Sequence, residues 1–450
     1  ISLMGDLNNN GTYNYGTNLT TFNGGAQLIT GSSTSDFHDL DVLSLTTLTV
    51  SNSFTVGRNL TISNGDLVLG SNRVTVIGNF VNNGSYTDNN SSGGITLAGT
   101  TRQQVSGTGL FGLLDINNPE GARLNSDINL RNNLVLSKGV LDINMYLLTL
   151  SQNSIISGAP FSDHKMIMSD GVISSPGVKK FFNAGPQNFV FPVGVSDKYT
   201  PAVFSITASS SVGFIRVNTV NSTHPSVTDP LNALKYYWQI ENSGITGIDA
   251  VVQLSYDEND VYGSESSYVA ARLELPSNIW HEAFPGPSTD NVDETNNLIS
   301  FNFNSAGNLN GDYTAGNPDA IPGEVPAYQT NSDGLWSNAA IWTPLGASPP
   351  CPPGGPVGAL VIINHTVTVN TNRIYVFSTT INNRLRILSP TFGHNLGYVS
   401  GNGTLYLESG NLPGGNYSSF TDCAGTGTVE YGGSGSYNII ATLFSSLPNV

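Results

Sequence analysis

Asp6-Leu-Asn-Asn-Asn-Gly11 follows the first half of a calcium-binding loop, with oxygen-bearing side chains at alternate positions before a glycine that permits a sharp turn. The twelfth position of such a loop is Thr17, which has no bidentate carboxylate to offer, and the matching stretch Asn79-Phe-Val-Asn-Asn-Gly84 puts Asn79 where Asp6 stood. The pattern therefore reads as a turn that persists without its charge. Asp257, Glu258 and Asp260 have the ligand type to hold Ca²⁺ at the edge of a sheet, helped by backbone carbonyls. Asp290, Asp293 and Glu294 form a similar group, and a solvated acidic loop is the commoner use of both. Calcium at Asp257 and Asp260 is the one metal the residues raise, and no other cofactor is expected.

Glycoside hydrolysis needs two carboxyls facing one groove about 5 to 9.5 Å apart. Lyase chemistry needs a base together with cations that stabilise an enolate-like intermediate. Asp41, Asp66, Asp115 and Asp142 are instead scattered singly. At a spacing of 74 residues, where the chain repeats itself, Asp66 gives way to Val140 and Asp142 answers to Val68. Asp41 and Asp115 do recur, as a repeated Asp beside a strand does when it orders a turn. The histidines at 38, 164, 224, 281, 365 and 394 are dispersed, with no Ser/His/Asp or Cys/His grouping. No catalytic residue is assigned, and the chain is not expected to be an enzyme; a polysaccharide lyase or hydrolase is the alternative. Trp280 and Trp336 could stack on sugar rings, although packing in a core or between modules is the more ordinary use of a tryptophan. Cys351 and Cys423 sit in no CxxC pair and near no metal-spaced His; a Cys351–Cys423 disulfide fits an oxidising compartment, and two separate buried thiols is the other reading.

The composition narrows the partners. The 450 residues include 16 Lys+Arg against 32 Asp+Glu, a formal charge of −16, and the cations never cluster. Nucleic-acid binding needs a basic stripe that displaces counterions, so it is not expected. The apolar runs are strand-sized, far short of the roughly 20 residues that cross a bilayer, so direct membrane insertion is not expected either. Only 11% of residues are charged and 50 are glycine, which leaves neutral polar groups to build the surface.

The elements that must carry these residues are strands. Phe54-Thr-Val-Gly-Arg-Asn-Leu-Thr-Ile-Ser-Asn-Gly-Asp-Leu67 reappears as Ile128-Asn-Leu-Arg-Asn-Asn-Leu-Val-Leu-Ser-Lys-Gly-Val-Leu141, an offset of 74. Phe37 to Val42 meets Phe111 to Ile116 at the same offset, and Asn10-Gly-Thr-Tyr13 meets Asn83-Gly-Ser-Tyr86 with a small shift. Each copy holds short runs that alternate apolar and polar residues, punctuated by Asn-Gly, Ser-Gly and Gly-Gly pairs. Short strands in tandem fit a parallel β-helix, in which inward side chains stack on their equivalents one coil away and Asn at the corners hydrogen-bonds from coil to coil.

The predicted organisation is all-β, with parallel β-helix (solenoid) segments flanking an antiparallel β-sandwich. Residues 1–158 form a solenoid of about 74-residue repeats, 159–316 a β-sandwich of eight longer aromatic strands, 317–330 a Pro-rich linker, and 331–450 a second glycine-rich solenoid. Val429-Glu-Tyr-Gly-Gly433 begins a further version of the repeat, and Ile1 follows no initiator Met, so a longer parent polypeptide is expected.

Together these elements resemble the very large surface proteins of gliding and biofilm-forming Bacteroidota that travel through the type IX secretion system. The solenoid half is similar to their Asn-Asn-Gly turns followed by a Gln-x-Ile/Val-x-Gly strand, here Gln27 to Gly31 and Gln104 to Gly107, the second copy one residue shorter. Phe191-Pro-Val-Gly194, Tyr199-Thr-Pro201, Tyr237-Trp-Gln-Ile240 and Gly311-Asp-Tyr-Thr-Ala-Gly316 resemble their sandwich module. Trp336, Trp342 and the strand through His365 resemble a glycine-rich module that opens β-helices in cell-surface hyaluronidase-like and fibrocystin-like proteins. The resemblance implies an extracellular or outer-surface location and a structural or adhesive role as a stiff stalk. The implied partners are further modules of the same polypeptide, surface glycans, and the secretion and anchoring machinery.

Overall fold

The computed structural model describes residues 1–432 apart from 44, 275–278, 284–290, 305–308, 322–325, 347, 349, 377, 409–411 and 422–425. The chain divides into two units, the first made of Ile1–Ala283 and Val292–Pro322, the second lying from Gly323 onward. No helix among the described residues is long and apolar enough to cross a membrane, a statement that leaves β-barrels aside.

The first unit begins as a parallel β-helix with three faces. Alternation makes the strands: in Thr47–Val50 the two threonines are exposed while Leu48 and Val50 are buried. Successive windings place Asp39–Val42, Leu60–Ile62 and Phe80–Asn82 side by side on the first face. Thr47–Val50, Asp66–Gly70 and Ser85–Asp88 lie together on the second, and Phe54–Val56, Arg73–Val76 and Gly94–Leu97 on the third. Parallel registry then builds inward rows such as Phe54, Val74, Ile95, Leu114, Leu134 and Ile156, each bonded to the next. The first five of that row are almost wholly buried, each contributing about 1.5–3 kcal/mol of apolar burial.

At the corners the polar side chains turn along the axis. The backbone N–H of Asn59 donates to Asp39 Oδ1 (3.0 Å), that of Asn79 to Asn59 Oδ1 (3.0 Å), and that of Gln104 to Asn79 Oδ1 (2.8 Å). The expected coil-to-coil bonding of asparagine is therefore present in this column as side chain to main chain. It supplies acceptors to N–H groups that the bend would leave unpaired.

The structural period is the winding, not the 74-residue repeat. Leu40 pairs with Leu60, Leu60 with Phe80, Phe80 with Val105 and Val105 with Leu124, spacings of 20, 20, 25 and 19. Seventy-four residues take Leu60 on the first face to Leu134 on the third, Phe54 on the third to Ile128 on the second, and Leu67 on the second to Leu141 on the first. From Leu60–Ile62 to Leu134–Lys138 the chain advances eleven strands, which is three windings and two faces. The repeated segment is thus rebuilt one face round the coil.

Its local contacts survive the move. Gln27, on the second face, accepts Gly24 N–H and donates to Leu3 O and Gly5 O of the winding before. Gln103, on the first, accepts Gly99 N–H and donates to Val76 O and Gly78 O. The counterpart of Gln27 is accordingly Gln103 rather than Gln104, and the segments Gln27 to Gly31 and Gln103 to Gly107 are equal in length. Gly31 and Gly107 end them at φ of +121° and +125°, where a Cβ would lie 2.0 Å from the carbonyl oxygen of Asn9 or Asn82. Tyr13 meets Phe37 edge-on at 5.7 Å, and Tyr86 meets Phe111 in the same way at 6.1 Å.

The ladder does not stop at residue 158. The third face ends with Ile156–Ser157, but Val178 pairs in parallel with Leu148, and Ile167 with Val193. Val178–Phe182 then pairs antiparallel with Gly213–Val220, so one sheet runs from the coil into the sandwich. It continues through Tyr237–Ser243, Gly311–Gly316, Val269–Glu274 and Ile279–Ala283. The opposing sheet holds Gln187–Phe191, Ala202–Ala208, Asp249–Ser255, Leu298–Phe303 and Val292–Asp293. All eight strands expected from the sequence are present, but 159–316 is no separate body: one hydrophobic cluster extends from Phe22 to Ala315.

Lys180 marks the join. It occupies an inward position between Val178 and Phe182, and its ammonium donates to Ser151 O (2.8 Å), Gln152 O (2.7 Å) and Phe181 O (2.6 Å). Burial pulls it down to about 8.

The Pro-rich linker is also corrected. Asn317 N–H donates to Asn232 O and Thr228 N–H to Ala320 O, while Ile321 is buried, so 317–321 pack on the first unit. Ala327–Thr330 is a strand of the second unit, paired with Leu360–Ile363 and, antiparallel, with Trp342–Leu345. Only 322–325 remain, outside the described residues.

The second unit is a two-sheet parallel coil. Val361 pairs with Thr379 and Thr379 with Val399; Val367 pairs with Leu385 and Leu385 with Leu405. Trp336 and Trp342 are buried beneath its first winding, with centroids 5.0 Å apart and Trp342 Nε1 donating to Trp336 O.

Candidate functional site

The sequence-derived acidic candidates do not converge. Asp257 caps a short 3₁₀ turn, accepting the N–H and side-chain amide of Asn259. Asp260 points the other way, fully buried, with Oδ1 against Lys198 Nζ at 2.5 Å. That ammonium engages one carboxylate oxygen of Asp260, while burial raises the carboxyl above its ordinary value. Asp293 accepts the N–H groups of Thr295 and Asn296, and the side-chain amide of Asn296 is the main reason its carboxyl is lowered. Asp290 lies outside the described residues. Asp6 Oδ1 accepts Leu28 N–H from the next winding, and Leu7–Asn8 pairs in parallel with Ile29 and Thr30, which makes the Asp6–Gly11 segment part of the coil.

The four single aspartates are spread over all three faces, Asp41 and Asp142 sharing the first at distant windings, and each has a local partner. Asp115 on the third face meets Arg73 (3.1 Å), and Asp142 on the first meets Arg123 (2.7 Å) and Arg102 (3.4 Å). Asp66 on the second accepts Ser85 Oγ, and Asp41 on the first lies beside Ser63, its carboxyl raised by burial. Trp280 and Trp336 are both buried and offer no open ring to a sugar. Cys351 is half-buried, its thiol pushed up to about 12 by burial; the pairing expected with Cys423 lies outside the described residues.

What the sequence did not group is the outer face of the wide sheet. Strand alternation turns Ile215 and Val217 into the core and leaves Arg216 and Asn218 on the other side. Arg216 is in register with Glu241, Asn218 with Gln239, and Gln239 with Asp312. The main-chain pairing of these strands ends at Gly311, and Asn242 N–H donates instead to the side chain of Asn310. Beside it lies a groove of about 370 Å³ whose lining includes Arg216, Gln239, Glu241, Asn310, Gly311 and Asp312. No side chain fits at Gly311, where a Cβ would lie 2.4 Å from Leu273 O.

The groove's polar groups are held from behind. Arg216 Nε donates to Glu241 Oε2 at 2.7 Å and its Nη1 to Pro176 O at 3.2 Å. Asn218, 2% exposed, donates to Gln239 Oε1 (3.0 Å), which fixes that amide, and its own Oδ1 is buried without a partner among the described residues. Ser226 N–H donates to His224 Nδ1 (3.1 Å), so Nε2 carries the proton and donates to Asp312 Oδ2 (3.0 Å). The His224 ring is clamped edge-on by Tyr237 at 4.7 Å and Trp280 at 4.9 Å. Glu241 and Asp312 are two carboxylates on one groove, but one is engaged by a guanidinium and the other by an imidazole. The arrangement is a set of polar side chains fixed in place on one face of the sheet. Its only foreshadowing in the sequence is that Tyr237–Ile240 and Gly311–Gly316 were already distinctive motifs.

Comparison with protein-family models, with curated proteins and with solved structures finds no match.

Proposed function

We propose that this chain is a stiff structural segment of a long extracellular surface protein, serving attachment, gliding or biofilm formation. The observation that carries the reading is the shared sheet and single core at the coil–sandwich join. Two folds that meet through a flexible tether bend there, whereas one continuous ladder with Lys180 bonded across the junction resists bending. The resemblance to type IX-exported surface proteins of Bacteroidota supports the outer-surface location and the partners: further modules of the same polypeptide and the export and anchoring machinery. Low charge and neutral polar corners suit a protein exposed to the medium. Antibodies raised against the chain should label intact producing cells, and cells lacking the gene should attach less. Labelling that requires lysis would overturn the reading. A second reading, carbohydrate binding, draws on the polar groove of the wide sheet.

A further inference from the structure

We infer that the groove between Arg216 and Asp312 binds a neutral saccharide, an assignment that rests on the carbohydrate-binding reading and gives it a site. The argument is one of donor and acceptor supply. Sugar hydroxyls both donate and accept, and a site for them needs planar groups of both kinds, fixed before the ligand arrives. The groove has a guanidinium at Arg216, carboxylates at Glu241 and Asp312, and amides at Gln239 and Asn310. Four of the five are positioned from outside the groove: Arg216 by Pro176 O, Gln239 by Asn218, Asn310 by the N–H of Asn242, and Asp312 by the clamped His224; the fifth, Glu241, is held by Arg216. Their positioning bonds leave specific atoms for a ligand. Gln239 Nε2 and Asp312 Oδ1 have no hydrogen-bond partner among the described residues, one a donor and one an acceptor on paired residues of adjacent strands.

Charge selects the class. One guanidinium faces two carboxylates, so a phosphorylated, sulfated or uronic ligand meets net repulsion, as it does from a chain of formal charge −16.

The full chain is titrated by calorimetry with three probes: a neutral glucan tetrasaccharide, a neutral galactan tetrasaccharide and a polygalacturonate of similar length. After a printed array of neutral glycans, the best neutral binder replaces the first two. Expected is binding of a neutral probe and none of the polyanion, weakened about tenfold by Gln239→Ala and by Asp312→Asn. Arg384→Ala, in the second unit, should leave it unchanged. Circular dichroism and the melting temperature of each variant separate lost contacts from lost folding, and Glu241→Gln, which keeps the shape, provides a second variant with the same expected loss. Failure of every neutral glycan to bind would overturn the carbohydrate reading and this site with it. Binding that survives all three groove substitutions would overturn the site alone, as would preference for the polyanion.

Discussion

In the coil, strands that touch are about 20 residues apart in the chain; in the sandwich, Arg216 meets Glu241, and Gln239 meets Asp312, 73 residues on. The difference decides what each region can do. A parallel stack repeats one environment at each level, so a polar residue on a face meets the next level's version of itself or a local partner. Asp39, Asn59 and Asn79 form such a column, and Arg123 finds Asp142. Antiparallel crossing gathers unlike residues from distant segments onto one face, and there the groove between Arg216 and Asp312 is assembled. The coil is the regular region, and the groove lies where that regularity is lost.

Three perturbations test that contrast, beginning with the strongest. Leu114→Ala removes a fully buried side chain from the centre of the third-face row and should cost 2–5 kcal/mol, as a shift in the urea midpoint. Because coil and sandwich share a core, tryptophan fluorescence from Trp238 and far-ultraviolet dichroism should report one transition for the first unit. Two separated transitions would show that the regions fold independently.

Lys180, at the join, should give the pH profile its shape. An unfolded lysine keeps its proton to about 10.5, whereas burial pulls this one to about 8. Between those values the unfolded chain holds more protons than the folded one, so stability rises with pH through that window. Above about pH 10 the slope reverses. Tyr199, Tyr237 and Tyr268 are pushed up to about 12 by burial, and the unfolded chain releases their protons first. The rise from pH 8 to 10 is roughly 2–3 kcal/mol at most. Lys180→Met should abolish it, and a rise that persists in the variant would assign it to another group.

The smallest effect is expected at a corner. Asn59→Ala leaves the N–H of Asn79 without its acceptor and should cost about 1 kcal/mol, with faster hydrogen exchange at that amide. Asn59→Asp keeps the oxygen and should restore protection.

The strands and their inward residues were legible in the sequence because alternation at period two is local. Val74, Val76, Ile95 and Leu97 are buried as their spacing predicts. The winding length was hidden behind a stronger self-similarity that crosses faces, and only registry such as Leu60 with Phe80 reveals it. The end of the coil was placed near residue 158 because the third face does stop at Ser157, while the other two continue silently in segments that no longer resemble the repeat. Prolines at 318, 322 and 326 read as a linker, yet Pro326 O accepts Leu360 N–H and the strand begins at the next residue. The groove was out of reach for a different reason. Nothing within reach of Gln239 along the chain announces Asp312, and the buried His224 behind it was one of six dispersed histidines.

The shift of the repeated segment from one face to another, two forward or equally one back, also bears on how such a protein grows. Three walls that accept the same amino-acid pattern are interchangeable, so a duplicated stretch of gene folds without being a whole number of turns long; it needs only to begin and end at a corner. The heritable quantum is then a single strand with its bend. Ornaments copied by this route trace a spiral staircase round the shaft and regain their original bearing on the third landing.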